Sequence, residues 1–289
     1  MRAIILGANG TLGTALKSEL PPNGVEVLAA LTRAEVNITD ESSVRHAIAE
    51  FKPDVVFNTA AYTNVDGAED DADACYIANA IGPENIARAC QDSKTAFVHY
   101  STDFVFDGEQ EHPYDEFDPV SPQGVGVYGR SKAAGERLVL AACQRAFVLR
   151  VGCLYGQGGR NFPSTILDRL KAGQAIKADA SRKGSPTWVI PVARVSAALC
   201  KTPYHGLYNC TANGETSWAD YALFLADKLG VSADNVAALP YGALALKAPR
   251  PRRAILDNRM LRLRGLDFMG TWQENALGFI ASQASRPTV

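Results

Sequence analysis

Apolar residues in the first half of the chain fall into short unbroken runs that alternate with stretches of helical spacing. Ala3-Ile4-Ile5-Leu6 is too short for a helix and leads into Gly7-Ala8-Asn9-Gly10-Thr11-Leu12-Gly13, so it reads as a first strand entering a glycine turn. Residues 14–20 continue as a helix, residues 25–30 read as a second strand, and Val55-Val56-Phe57 behind Pro53 as a third. Thr39-Asp40-Glu41-Ser42 supplies capping residues for the helix between the last two. A long helix is expected over residues 72–90, a fourth strand over 95–100, a helix from Val127 and a fifth strand over Ala146–Val151. This strict alternation predicts a parallel, doubly wound α/β sheet of the Rossmann type with right-handed crossovers.

Beyond about residue 152 the rhythm breaks. Helical patterns occur at Phe162–Lys171, 192–200, Trp218–Leu229 and 272–280, separated by short extended pieces such as Gly206–Asn209 and punctuated by Pro186, Pro191, Pro240, Pro249 and Pro251. The expected organisation is an NAD(P)-binding domain over residues 1–151, to which later segments return, and a smaller, mostly helical C-terminal substrate lobe within 152–289. No internal repeat or low-complexity tract is present.

Composition narrows the function classes. The 289 residues are 47% hydrophobic and 21% charged with a formal charge of −2, ordinary for a globular protein and without a basic footprint for nucleic acid or an anionic membrane. The first apolar run is too short for a signal peptide core, and none approaches the ~20 residues of a membrane span. Six Cys without C-x-x-C spacing read as free thiols in a reducing cytoplasm. The four His are isolated, so no metal site is expected.

Candidate chemistry gathers at the expected C-terminal edge of the sheet, where open α/β folds bind ligands. Gly7 allows the tight turn, Gly10 lets backbone amides approach a pyrophosphate, and Gly13 permits close helix-strand packing. No carboxylate ends the second strand to take a ribose 2′-hydroxyl, and Arg33 just beyond it suits a 2′-phosphate, or is simply a solvated loop Arg. Small residues at 59–61 allow a flat ring to lie against the backbone. Asn79, inside the long helix, is either solvated or a prop for the site. The fourth strand delivers Ser101-Thr102-Asp103-Phe104 to the same edge, and the Gly-, Pro- and acid-rich loop over 107–126 suits a substrate-facing segment. Tyr128 and Lys132, four positions apart, share one helix face. An ammonium beside a phenol lowers its pKa from about 10 and favours proton transfer, although such a pair also arises by chance on a helix surface.

Taken together, Gly7 to Gly13, Ser101-Thr102-Asp103 and Tyr128/Lys132 resemble the extended short-chain dehydrogenase/reductases. The stretches from Asn58 to Glu69 and from Tyr100 to Gly108 are more specific, and with Asn161-Phe162, Gly184-Ser185-Pro186-Thr187 and Arg250 to Asp257 they resemble the dTDP-4-dehydrorhamnose reductase family. That resemblance implies reduction of the 4-keto group of dTDP-4-dehydro-L-rhamnose with NADPH or NADH. It also implies that Thr102, Tyr128 and Lys132 are catalytic: Thr102 bonds the ketone, Tyr128 donates the proton, and Lys132 holds the nicotinamide ribose. Gly7, Asn9, Gly10, Thr11 and Leu12 would meet the pyrophosphate, Arg33, Asn37 and Ile38 the adenosine end, and Ala60, Ala61, Tyr62 and Thr63 the rest of the cofactor. Thr102, Asp103, Phe104, Cys153 and Asn161 would face the sugar.

Three positions depart from the family pattern. Cys153 stands where the family has Trp, Ser181-Arg182 where it has Asp-Gln, and Asn37 where an Asp is usual. A reductase for a different sugar ketone is therefore an alternative, as is a non-catalytic NADP-binding regulatory subunit like relatives that serve a methionine adenosyltransferase. A sugar-nucleotide dehydratase is disfavoured, since Phe104 cannot supply the acid that follows Thr-Asp in such enzymes. A nucleotide-sugar partner and a possible homodimer complete the expectations.

Overall fold

The structure, a computed structural model, describes residues 1–121, 125–159, 161–240, 242–243 and 246–284. Positions 122–124 of the acid-rich loop lie outside the described residues. In the first half, β1 (Arg2–Leu6), α1 (Thr11–Glu19), β2 (Glu26–Leu31), α2 (Glu41–Phe51), β3 (Val55–Asn58), α3 (Ala72–Tyr76), α4 (Gly82–Ser93), β4 (Ala96–Thr102), α5 (Val127–Ala142) and β5 (Ala146–Val151) follow in turn. The second half holds β6 (Leu154–Tyr155), α6 (Phe162–Lys171), β7 (Ile176–Asp179), β8 (Lys183–Gly184), β9 (Thr187–Trp188), α7 (Val189–Leu199) and β10 (Gly206–Asn209). It continues with β11 (Thr216–Ser217), α8 (Trp218–Leu229), β12 (Val236–Leu239), α9 (Arg259–Leu263) and α10 (Trp272–Ala284).

The main sheet runs β2-β1-β3-β4-β5-β10, every pair parallel. Successive strand residues face opposite sides, so Ile5, Phe57, Val98 and Leu149 pack under Leu12, Leu16, Val192 and Val195 of α1 and α7. Ile4, Val56, Phe97 and Val148 meet Val44, Ile48, Ile86 and Val139 of α2, α4 and α5 on the other face. Burial on both faces explains why these strands read as continuous apolar runs. The strand order reverses between β1 and β3, the place in an open α/β sheet where ligands bind beyond the C-terminal strand ends.

Gly206–Asn209, expected in the lobe, is instead the edge strand β10, in register with Phe147–Arg150 of β5. With α7 packed beside α1, two late segments thus return to the sheet. A third core gathers Tyr155, Leu167, Tyr221, Trp272 and Phe279 around α6, α8 and α10. Its small parallel pair, β7 with β12, has no counterpart in the sequence reading, because two four-residue strands carry too little periodicity to be recognised.

The helix expected over 72–90 is interrupted by a π-turn at Ile77–Ile81, where the Gly82 amide reaches back to the Ile77 carbonyl. Pro83 explains it: proline has no amide to offer the Asn79 carbonyl four residues earlier and crowds it, so the ladder widens. A Cβ on Gly135 would lie 2.2 Å from that carbonyl, so α5 approaches the π-turn more closely than a side chain allows. Among the described residues, no helix is long and apolar enough to cross a membrane, and no cluster of three His, Cys, Asp or Glu could hold a metal ion. All six Cys are unpaired.

Candidate active site

The crevice begins at the glycine turn. Gly7 has φ +79°, and a Cβ there would lie 2.5 Å from the Ala60 amide nitrogen, so turn and β3 end touch through backbone alone. The Gly7 amide donates to the Leu31 carbonyl at 2.9 Å, tying the turn to β2. Gly10 caps α1 without a side-chain bond, which leaves first-turn amides available to an anion. A cavity of about 420 Å³ extends from here between Asn9, Gly10, Thr11 and Leu12 on one wall and Thr59, Ala60, Ala61 and Thr63 on the other. It ends at Tyr100, Ser101, Tyr128 and Lys132. A dinucleotide fits these donors: backbone amides for the pyrophosphate and small side chains for flat rings.

The remaining expected cofactor residues lie outside these walls. Arg33 is exposed just beyond β2. The Asn37 carboxamide oxygen accepts from the Thr39 amide and hydroxyl at 3.2 and 3.0 Å, and the Ile38 side chain is buried in the core. The Tyr62 ring packs against Ala68, Cys75 and Val127. Asn161, expected on the sugar side, instead lines the dinucleotide groove: its Oδ1 accepts from the Ser164 amide at 3.0 Å and its Nδ2 donates to the Gly156 carbonyl at 3.2 Å. Capping α6 sets that position.

Two residues shape the groove from beneath. Asn79, fully buried on the π-turn, accepts from the Tyr62 amide at 2.8 Å, donates to the Tyr62 carbonyl at 3.0 Å and reaches Ser131 Oγ at 3.1 Å. It is therefore a prop for the site, holding the loop after β3 against α5. Glu69 Oε1 accepts from the Val127 amide at 2.8 Å and satisfies the start of α5, whose own cap, Gly126, has no side chain. The sequence reading missed this role, although Glu69 ends one of the family-like stretches.

At the groove's inner end, burial pushes the Tyr128 phenol up to about 12 and pulls the Lys132 ammonium down to about 8. The expected lowering of Tyr128 by the lysine is thus corrected: burial raises the phenol against a Thr102 hydrogen bond that lowers it, and Lys132 Nζ instead donates to the Tyr100 carbonyl at 2.5 Å. Thr102 Oγ1 donates to Asp103 Oδ1 at 2.9 Å and accepts from the Phe104 amide at 3.2 Å. Burial lifts the Asp103 carboxyl to about 7.

A second cavity, of about 300 Å³, opens on the other side of Tyr128. Thr102, Asp103, Phe104 and Cys153 line it, with the Phe104 ring edge-on to Tyr128 at 5.9 Å. The second half of the chain contributes Arg182, which the sequence reading placed near the substrate lobe, and Lys183, Trp218 and Arg250, which it did not assign to the sugar side. Cys153 occupies the left-handed region at φ +48°, and burial raises its thiol. Arg182 does not replace an acid outright, because Ser181 and Arg182 both wrap Asp179. The Ser181 hydroxyl and Arg182 Nε donate to its two oxygens at 2.7 and 2.5 Å. Although burial opposes it, these bonds hold Asp179 down at about 2. Arg250 is likewise anchored, Nη1 to Asp66 Oδ1 at 2.8 Å.

A phosphate-ready turn and a buried Tyr-Lys pair opening on one groove are the organisation of a dinucleotide-dependent reductase of the short-chain type. The membership is narrower still. The chain belongs to the RmlD substrate binding domain family, whose model matches residues 1–284. It is 38% identical over 275 residues to a probable dTDP-4,6-dihydroxy-2-methyloxan-3-one 4-ketoreductase of Streptomyces antibioticus, covering 94% of this chain and 92% of that one. It is 36% identical over 296 residues to the dTDP-4-dehydrorhamnose reductase of Streptomyces griseus, covering 99% and 96%. The crystal structure of dTDP-4-dehydrorhamnose reductase from Bacillus anthracis in complex with NADP superposes with a TM-score of 0.91 at 35% identity, covering 97% and 99%.

Proposed function

We propose that this protein reduces the 4-keto group of a dTDP-linked 4-keto-6-deoxysugar with NADPH, NADH also being accepted, and that its reaction is dTDP-4-dehydro-L-rhamnose to dTDP-L-rhamnose. The observation that carries the reading is that Tyr128 lines both cavities, one suited to a dinucleotide and one to a sugar. The cofactor, when bound, supplies the hydride. Gly10, Thr11 and Leu12 orient its pyrophosphate, and Lys132 holds the nicotinamide ribose. Thr102 and Tyr128 meet the ketone oxygen, where donors stabilise developing charge more than the ground state. Tyr128, protonated throughout the neutral range, gives its proton to that oxygen. Arg182, Lys183 and Arg250 suit the substrate's phosphates.

The division of labour follows the chain, with residues 1–151 and the returning segments as cofactor domain and most of 152–289 as substrate lobe. The unpaired thiols accord with a cytoplasmic enzyme. A homodimer is the proposed assembly, in keeping with the exposed Tyr76, Ile77 and Ile81 on one helical stretch. Steady-state reduction of enzymatically prepared dTDP-4-dehydrorhamnose with each nicotinamide cofactor tests the function. Turnover with NADPH at least equal to NADH is the expected result, and absence of turnover with either sinks the reading. Arg33→Ala should weaken NADPH selectively if the guanidinium pairs with the 2′-phosphate. Equal loss for both cofactors would make Arg33 structural.

Cys153 and Arg182 favour one second reading, a dTDP-linked ketosugar other than that of rhamnose synthesis. Cys153→Trp should then shift the ratio of kcat/KM between dTDP-4-dehydrorhamnose and other keto sugars by about tenfold or more, the scale of one filled pocket contact. An unchanged ratio would show that this position does not touch the sugar.

A further inference from the structure

One turn beyond Lys132 on α5 lies Glu136, 4% exposed, and its partner Arg150 on β5 is 3% exposed. Glu136 Oε1 accepts from Ser101 Oγ at 2.5 Å and Arg150 Nε at 2.9 Å, while Oε2 accepts from Arg150 Nη2 at 2.8 Å. The guanidinium lies 4.9 Å over the Phe106 ring. Neither residue lines either cavity. Both nevertheless connect to the β4 segment that builds the site, for Ser101 stands between Tyr100, whose carbonyl takes the Lys132 ammonium, and Thr102. A buried ion pair costs desolvation that its attraction barely repays, and apolar residues of similar volume often serve stability as well or better. Stability is therefore a weak reason for its presence here.

We propose that Glu136 is a positioning residue for Lys132, one turn along the same buried helix, and that Arg150 fixes its carboxylate against Ser101. The inference rests on Lys132 having the role assigned above. The groups close to Lys132 are Glu136 on its own helix, Cys75 on α3 and His99 on β4, with Tyr128 one turn back on α5 and Asp103 on the turn after β4; the Tyr100 phenol turns to the opposite side of the sheet and donates to Ser196 Oγ at 2.8 Å, and Arg150 on β5 reaches Glu136. Burial keeps Cys75, Tyr100 and Tyr128 neutral by raising them, and His99 neutral by lowering it, with Lys132 adding to that last effect. Asp103 ionises only above about 7. Burial pulls Lys132 down, and Glu136 is the leading influence that opposes it. The sign follows: removing the Glu136 charge lowers Lys132 further.

The test is the alkaline limb of kcat/KM, together with the NADPH dissociation constant measured by fluorescence across the same pH range. Glu136→Gln, which keeps the shape and the Ser101 bond, should move both limbs down by about one pH unit, the scale of one nearby buried charge. Glu136→Asp, which keeps the charge, should leave them near the wild-type position. The contrast between Glu136→Gln and Glu136→Asp is the deciding readout. Limbs that stay in place while melting temperatures fall, or that move alike in Glu136→Gln and Glu136→Asp, would reduce the pair to a structural brace and overturn the proposal. If the wild type reduces no keto sugar, the assigned reaction fails instead, and the NADPH titration still reports on Lys132.

Discussion

Tyr128→Phe should lower kcat for ketone reduction by about 10²–10⁴-fold, the usual contribution of a positioned general acid, while NADPH binds almost as well as to the wild type. Phe keeps the ring and its edge-on contact with Phe104, so the wall between the two cavities survives. What goes is the phenol, the one proton donor common to both cavities. Because burial pushes that phenol up to about 12, it stays protonated throughout the neutral range and serves as an acid in the reductive direction without any pH switch of its own. Absorbance at the reduced cofactor's band gives kcat, and fluorescence titration gives the NADPH affinity. Retention of more than about a tenth of the activity, above what loss of a general acid permits, would transfer the proton to water or another residue.

Lys132→Ala should behave differently, weakening NADPH binding and turnover together. Its ammonium is asked to serve the ribose and Tyr128 at once, and it alone answers the Tyr100 carbonyl with a charged donor. Truncation leaves that carbonyl without its partner, which costs about 1–3 kcal/mol where the group is buried. A fall in melting temperature should therefore accompany the kinetic loss. The wild type should mimic the variant reversibly at high pH: with Lys132 near 8, NADPH affinity declines as pH rises through that value and returns on acidification. A variant that binds NADPH normally but turns over slowly would remove the ribose from the role of Lys132 and leave only its effect on Tyr128.

The dinucleotide half of the site was legible in the chain because its parts are local. A strand, a glycine turn and a helix follow one another within Arg2–Glu19, and a Tyr and a Lys at i and i+4 share a face wherever the helix is placed. The sugar half was less legible. Arg182, Lys183, Trp218 and Arg250 come to Tyr128 from segments far apart in sequence, and no spacing rule links them. Asn161 differs from its expected place: as the cap of α6 it lines the groove with Gly10 and Thr11 and not the cavity with Cys153.

Periodicity and turn chemistry by themselves determined the parallel sheet, the glycine turn after β1 and the Tyr-Lys helix, since each depends on contacts within a few residues. Only the tertiary structure decided the electrostatic state of the site. The amino-acid types place Tyr128 near a lysine and predict a more acidic phenol; packing removes water from both, and burial raises the phenol and lowers the ammonium. The same holds for Asp179, a surface-like acid in sequence that folding wraps with Ser181 and Arg182, and for Glu136 and Arg150, whose pairing exists only because α5 crosses β5. Charge interactions depend on depth and distance in three dimensions, and a one-dimensional pattern carries neither.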